Sequence, residues 1–271
     1  TAETLDDLHA VFFDLLRPND RQPIPTAVDH AYEMIWRQLI TGERSPGERL
    51  TDTELASQLG LSRTPVRQAL HRLAQEELVR LDARRGFSVR ELTVRDVQEI
   101  YDVRGALEVL ALRQAAPHLS AEQIQMQLDL LYQMREALRK ERDERAVILH
   151  LESDLRLHNL LIQASGNGRL IRMLAALRSQ QTLFQYWDTS YPQRNEAAAD
   201  EHERILLALA AGDIEEAGAQ LAQHIANAKN RVLFDLFGTR EPSDRDGVIE
   251  ERPRELDQEA PSSRPVKMDD E

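Results

Sequence analysis

Four side chains in the second half of the chain have the types and spacing to hold a metal ion. Asp154 and His158 stand four residues apart in a stretch of helical periodicity, so both leave from one helix face. His202 opens a later helical stretch and His224 lies near the middle of the next, on either side of the Ala211-Gly-Asp213 turn. That turn makes the two stretches antiparallel and brings both histidines to a similar height. Three imidazoles and one carboxylate suit a borderline divalent ion, zinc first, with nickel, manganese or cobalt also compatible. A single carboxylate cancels one of the two charges, so the filled site would stay positive and attract an anion. A lone helical histidine is more often a surface or satisfied core residue, and spacing by itself leaves both readings open.

A second group suits a different chemistry. Arg63 and Arg67 share one face at the start of a helix that Ser62 can cap and in whose first turn Pro65 is harmless. An arginine placed there can fork onto guanine O6 and N7 or hold a phosphate. Ser62 and Thr64 suit phosphate oxygens at the positive helix end. A merely solvated basic helix face is the plainer reading of the same residues.

The elements that must position these groups follow from the pattern. Helices are expected over 27–40, 52–59 and 63–76, the second opened by a Thr51–Glu54 capping box and closed by Gly60. Leu78–Leu81 and Phe87–Val89 flank the Gly-containing turn Asp82–Gly86 and predict a basic-tipped hairpin. Two short helices joined through Gly60-Leu61, followed by that hairpin, make a winged helix-turn-helix. Val66, Leu70 and Leu73 belong to its core, and His71 to the core or the surface. Farther on, six helices are expected over 94–115, 121–141, 145–164, 168–189, 196–210 and 213–236, with short loops that imply an antiparallel bundle. Tyr186 and Trp187 read as bundle aromatics.

The fold class is therefore mainly α: an N-terminal winged helix-turn-helix with a small β-hairpin wing, then an all-α bundle of six to seven helices. The division is an arm over 1–25, a winged helix over 26–91, a helical domain over 92–238 and a tail over 239–271. The tail holds eleven acids against six bases and four of the eleven prolines, a composition that favours disorder. The 271 residues carry a net charge of −13, yet residues 62–90 hold seven arginines against three acids. The acidic total argues against non-specific nucleic-acid binding by the whole chain, while the local basic surplus is the footprint of a small binding module. The absence of cysteine excludes disulfides, thiolate metal sites and thiol catalysis and fits a reducing cytoplasm. No apolar run approaches membrane-spanning length, and no secretory signal is evident.

The stretches Gly47-Glu-Arg-Leu50, Glu54-Leu-Ala56, Gly60-Leu-Ser-Arg-Thr-Pro-Val-Arg-Gln-Ala-Leu70 and Arg85-Gly86-Phe87 resemble the GntR family of bacterial transcription regulators. Gln68 departs mildly from the glutamate usual there. The resemblance implies DNA binding as a homodimer on an inverted repeat. Ser62, Arg63, Thr64 and Arg67 would face DNA from the recognition helix, and Arg85 and Gly86 from the wing. The stretches Tyr101–Glu108, Asp154–His158, Ala164–Asn167, Glu201–Asp213 and His224-Ile225 resemble the FCD effector domain of the FadR-type branch. In many of its members the matching Asp and three His bind a metal at the floor of a pocket for a small organic acid. All four positions are intact here; Leu157 stands where Phe is common.

The resemblance makes Arg104 the candidate for the effector's carboxylate, against a surface Arg–Glu pair with Glu108. Asn167 is a candidate for a water on the metal, against a helix-ending αL residue. The expected function is sequence-specific transcriptional regulation, as a repressor, with operator binding controlled by a carboxylate at a divalent metal. The alternative is a metalloregulator in which the ion itself is the signal. A metal-dependent hydrolase fits poorly, because no separate general base is evident and the winged helix would be unexplained.

Overall fold

The computed structural model describes residues 26–40, 42–91, 93–140, 144–188 and 192–238. The arm 1–25 and the tail 239–271 lie outside the described residues, as do the side chains of Tyr186 and Trp187. In chain order the elements are α1 (Ala27–Ile40), β1 (Arg49–Leu50), α2 (Asp52–Leu59), α3 (Arg63–Gln75), β2 (Val79–Asp82), β3 (Gly86–Val89), α4 (Val94–Ala115), α5 (Ala121–Lys140), α6 (Glu144–Ala164), α7 (Gly168–Asp188), α8 (Pro192–Ala210) and α9 (Ile214–Phe237). A single 3₁₀ turn, Ala116–His118, follows α4.

The winged helix forms as its sequence dictates, with one addition. The hairpin pairs Val79 with Val89 and Asp82 with Gly86. A third strand, β1, adds to it antiparallel, Leu50 opposite Phe87, giving the order β1-β3-β2. Two residues are too few to show alternation, so this strand leaves no periodic signal. The wing tip is shaped by Asp82, whose Oδ1 accepts from the backbone N–H of Arg84 (2.8 Å) and Arg85 (2.9 Å). Gly86 turns the chain with φ 79°, a conformation that disfavours a Cβ.

Capping differs from expectation in two places. Thr51 accepts from Glu54 N–H, but the Glu54 carboxylate accepts from Arg44 and Gln58 instead of returning to Thr51, so only half of that capping box is formed. Ser62 occupies the N-cap of α3 with extended φ and ψ, and its hydroxyl makes no capping hydrogen bond. The box at the start of α4 is complete: Thr93 and Asp96 satisfy each other's backbone N–H.

Ile35, Trp36, Leu39, Leu50, Leu55, Val66, Leu70, Leu73 and Phe87 form the winged-helix core, and each is buried. Leu151 and Leu155 of α6 belong to this same cluster. His71 is exposed and meets Phe87 edge-on, with ring centroids 5.1 Å apart. The bundle core centres on α4, α5, α8 and α9, with Tyr101, Leu112, Leu131, Ile205, Leu221 and Val232 buried. Asp213 caps α9 by accepting from Glu216 N–H at 2.9 Å, and Gly212 (φ 76°) completes the α8–α9 turn that sets His202 against His224.

Candidate functional site

Asp154, His158, His202 and His224 come together in the bundle, all four buried, with one ligand atom from each lying within 4.8 Å of the others. Nε2 of His224 lies 3.3 Å from Nε2 of His158 and 3.2 Å from Nε2 of His202. Asp154 Oδ1 is 3.5 Å from His158 Nε2, 3.4 Å from His202 Nε2 and 4.0 Å from His224 Nε2. Metal–ligand bonds of about 2.1 Å put tetrahedral ligands about 3.4 Å apart, so these spacings suit one ion.

Two carboxylates orient the rings. Glu108 Oε2 bonds His158 Nδ1, and Glu201 Oε2 bonds His224 Nδ1 at 2.7 Å. Burial raises the pKa of both acids, but their hydrogen-bonding and cationic partners outweigh it. Arg104 and His158 hold Glu108 far below its usual value. The His224 bond and Arg231 bring Glu201 to about 2. Both are thus acceptors at neutral pH and assign the Nδ1 proton, which leaves Nε2 of His158 and His224 as the lone-pair face. Burial, with His202 nearby, lowers His224 to about 3, and burial also lowers His202, so both are neutral imidazoles. His158 is raised, because Glu108 and Asp154 outweigh its burial. Two facing nitrogens at 3.3 Å need something positive between them, either the proton that the raised pKa of His158 favours or a cation. One proton cannot serve four converging atoms, and a divalent cation can. The donor set therefore fits the metal that the sequence suggested.

Arg104 is not the surface residue of the plainer reading. It is 1% exposed, donates from Nε to Glu108 Oε1 at 2.6 Å, and places Nη2 3.2 Å from His158 Nε2. Its Nη1 is buried with no partner among the described residues. The Arg–Glu pair thus exists, but as a buried unit beside the histidines. Asn167 is placed differently. Its Oδ1 caps α7 by accepting from Arg169 and Leu170 N–H, and its Nδ2 donates to Gln114. Its polar atoms are spent on the start of α7, and the left-handed residue at this helix break is Gly166, with φ 63°.

Sequence reasoning missed three residues here. Glu201 sits beside His202 in sequence yet serves His224 across the helix pair, a contact that no local spacing reveals. His150 lies one turn before Asp154 on the same face of α6, 7% exposed, with its pKa lowered to about 4 chiefly by burial. The repeat His150–Asp154–His158 was a legible signal for it. Arg178 of α7 is 5% exposed and donates from Nη2 to Leu155 O at 3.2 Å.

At the other end, Ser62, Arg63, Thr64 and Arg67 are exposed on the first turns of α3, and Arg85 is exposed at the wing tip beside half-buried Gly86. Asp52 of α2 reaches both arginines, 3.2 Å from Arg63 Nη2 and 3.9 Å from Arg67 Nη1. These are solvent-facing ion pairs, with both guanidinium groups more than 60% exposed.

A winged helix joined to a bundle that buries a convergent Asp/His set defines a class of helical, DNA-binding regulators. The comparisons agree. Residues 27–89 match the bacterial regulatory proteins of the gntR family, and residues 99–227 match the FCD domain. The Nta operon transcriptional regulator of Aminobacter aminovorans is 30% identical over 193 residues, 71% of this chain and 88% of that protein. The HTH-type transcriptional regulator YdhC of Bacillus subtilis is 29% identical over 174 residues, 64% of this chain and 76% of that protein. The structure of McbR from Escherichia coli superposes with a TM-score of 0.62 at 25% identity, covering 75% of this chain and 95% of that one. The chain belongs to the GntR family and carries an FCD domain; it is a DNA-binding transcriptional regulator, not an enzyme. Among the described residues no helix is long and apolar enough to cross a membrane.

Proposed function

We propose that this regulator is a cytoplasmic homodimeric repressor whose operator binding is set by a small carboxylate held in the FCD domain against a divalent metal, zinc first. The observation that carries this reading is Arg104 Nη1, a buried guanidinium nitrogen without a partner beside the His/Asp cluster. A buried charged donor left unpaired is costly, and a carboxylate is its natural complement. Asp154, His158, His202 and His224 would hold the ion, which when bound supplies a Lewis-acidic attraction for an anionic oxygen. Glu108 and Glu201 keep the imidazoles in the ligating tautomer, and Glu108 also fixes the Arg104 side chain. The buried, neutral His150 offers a further polar group on the same face of α6. In the DNA-binding part, Arg63 and Arg67 would read bases or phosphates in the major groove, Ser62 and Thr64 would hold phosphates, and Arg85 with Gly86 would follow the wing along the backbone. Two half-sites about one DNA turn (~34 Å) apart demand a fixed separation of the recognition helices, and a ligand that favours one arrangement changes that separation.

The test is thermal unfolding of the full chain against a panel of small mono-, di- and hydroxycarboxylic acids, with zinc and after chelation. A ligand at about 100 times its dissociation constant adds about 2.7 kcal/mol. The reading requires an acid that stabilises only with metal present, through an effect that Arg104→Met removes. Stabilisation by zinc with no response to any acid, together with zinc-controlled binding to a duplex selected by the wild-type protein, would replace it with the metalloregulator.

A further inference from the structure

One face of α6 carries two sets of residues with different destinations. Leu151, Asp154, Leu155 and His158 follow the i, i+3, i+4, i+7 pattern and lie on a single helical stripe. Asp154 and His158 enter the cluster of metal-ligand atoms. Leu151 and Leu155, 7% and 4% exposed, enter the hydrophobic core of the winged helix, with Trp36, Leu39, Leu70 and Leu73. The winged helix thus does not close its core alone; it closes it on the helix that carries two ligands.

A polar path runs in parallel. Arg178 of α7 donates to the backbone carbonyl of Leu155 at 3.2 Å. Two residues on, Gln180, 9% exposed, donates from Nε2 to the carbonyl of Glu76 at 3.0 Å. Glu76 is the C-cap of the recognition helix α3, and its carboxylate accepts from the Tyr32 hydroxyl of α1 at 2.6 Å. The segment Arg178–Gln180 therefore ties the backbone of the ligand-bearing helix to the end of the DNA-reading helix.

We propose that loading of the metal centre stiffens the winged helix itself, because Leu151 and Leu155 of α6 and Gln180 of α7 make the DNA-reading helix part of the same packed unit as Asp154 and His158. This rests on the metal reading above and adds the route. α6 cannot shift at Asp154 without shifting Leu155, one residue on, and close-packed cores do not absorb such shifts locally. Openings of α3 that withdraw α6 from the core must also open the metal site, so the ion suppresses them by mass action.

Amide hydrogen exchange on the full chain, with zinc alone as the probe, tests this. At free zinc about 100 times its dissociation constant, amides of α1 and α3 whose opening breaks the site should exchange up to about 100-fold more slowly than after chelation. In the Leu155→Ala, Gln180→Ala double variant zinc should still slow exchange in α6, α8 and α9 but protect α1 and α3 clearly less than in the wild type. Zinc protection confined to α6, α8 and α9 in the wild-type chain overturns the proposal while leaving the metal site standing. Chelator competition that finds no zinc bound removes the metal reading and the proposal with it. The wild-type comparison decides the matter even where the double variant fails to fold.

Discussion

Replacing Glu201 by glutamine isolates the part that histidine orientation plays in the proposed metal binding. The exchange conserves volume at a residue whose Oε2 accepts from His224 Nδ1 at 2.7 Å and whose Oε1 accepts from Asn227 at 2.6 Å and Arg231 at 3.3 Å. The carboxyl titrates at about 2, so across the neutral range the wild type presents a full charge to the Nδ1 proton and Glu201→Gln removes it. Loss of such an outer carboxylate costs about 10- to 100-fold in metal affinity. The lower end is expected, because the amide oxygen can still accept and the three ligands besides His224 are untouched. Tenfold is about 1.4 kcal/mol, half of the roughly 2.7 kcal/mol that zinc at 100 times its dissociation constant adds to wild-type stability. At 2–4 °C per kcal/mol for a domain of this size, the zinc-dependent rise in Tm should fall from about 5–10 °C to about 3–5 °C. Competition against a fluorescent zinc chelator gives the affinity directly. Glu203→Gln is the control, since Glu203 on the same helix accepts from Tyr132 and Arg135 at the rim. A Glu201→Gln affinity within twofold of wild type, or an equal loss in the control, would refute the orienting role.

Arg63→Ala and Arg67→Ala should each abolish preference for the selected operator in a gel shift; a variant that instead keeps its preference and loses only about one unit of salt slope would show that arginine holding phosphate and not reading a base. Leu70→Ala, at a residue with no exposure in the winged-helix core, should cost about 2–5 kcal/mol in denaturant unfolding and reduce operator binding only through the folded fraction. In chelated protein, stability should fall as pH drops below the ordinary histidine value of 6.5, because buried His150, His202 and His224 are lowered, the first and last to about 4 and 3, and together outweigh the one raised histidine, His158, so the unfolded chain binds more protons in that window. A urea midpoint that stays flat from pH 6.5 to pH 4.5 would contradict the buried neutral histidines.

Much of this molecule was legible because its signals are local. Gly60 and the Ala211-Gly-Asp213 turn delimit helices through chemistry confined to a few residues, and the elements form where these place them. The convergence of Asp154, His158, His202 and His224 was legible because two share a helix turn and two straddle a short turn. What escaped depends on partners distant in sequence. β1 exists because β3 offers it an edge, and Glu54 leaves its capping box because Arg44 and Gln58 compete for its carboxylate. Glu201 finds His224 only once α8 and α9 lie side by side. The surface reading of Arg104 fails for the same reason: its pairing with Glu108 is local, and its burial against His158 is set by the tertiary fold.

If Arg63 and Arg67 read DNA as proposed, the Asp52 carboxylate beside them is an internal rival for phosphate. Before either arginine engages a duplex it must let go of an anion the protein already supplies. Such exposed pairs are worth about 0.2–1 kcal/mol each, a small toll beside a bidentate contact to guanine but a large fraction of a lone phosphate contact. Random DNA, which offers phosphates alone, would therefore be taxed proportionally more than an operator. Added salt would loosen the rival as well as the DNA, so fewer counterions would be released per arginine than the bare charge count implies. An acidic side chain beside a basic reading surface would thus work as a discrimination filter, letting an acidic regulator pass over the genome's bulk without lingering on it.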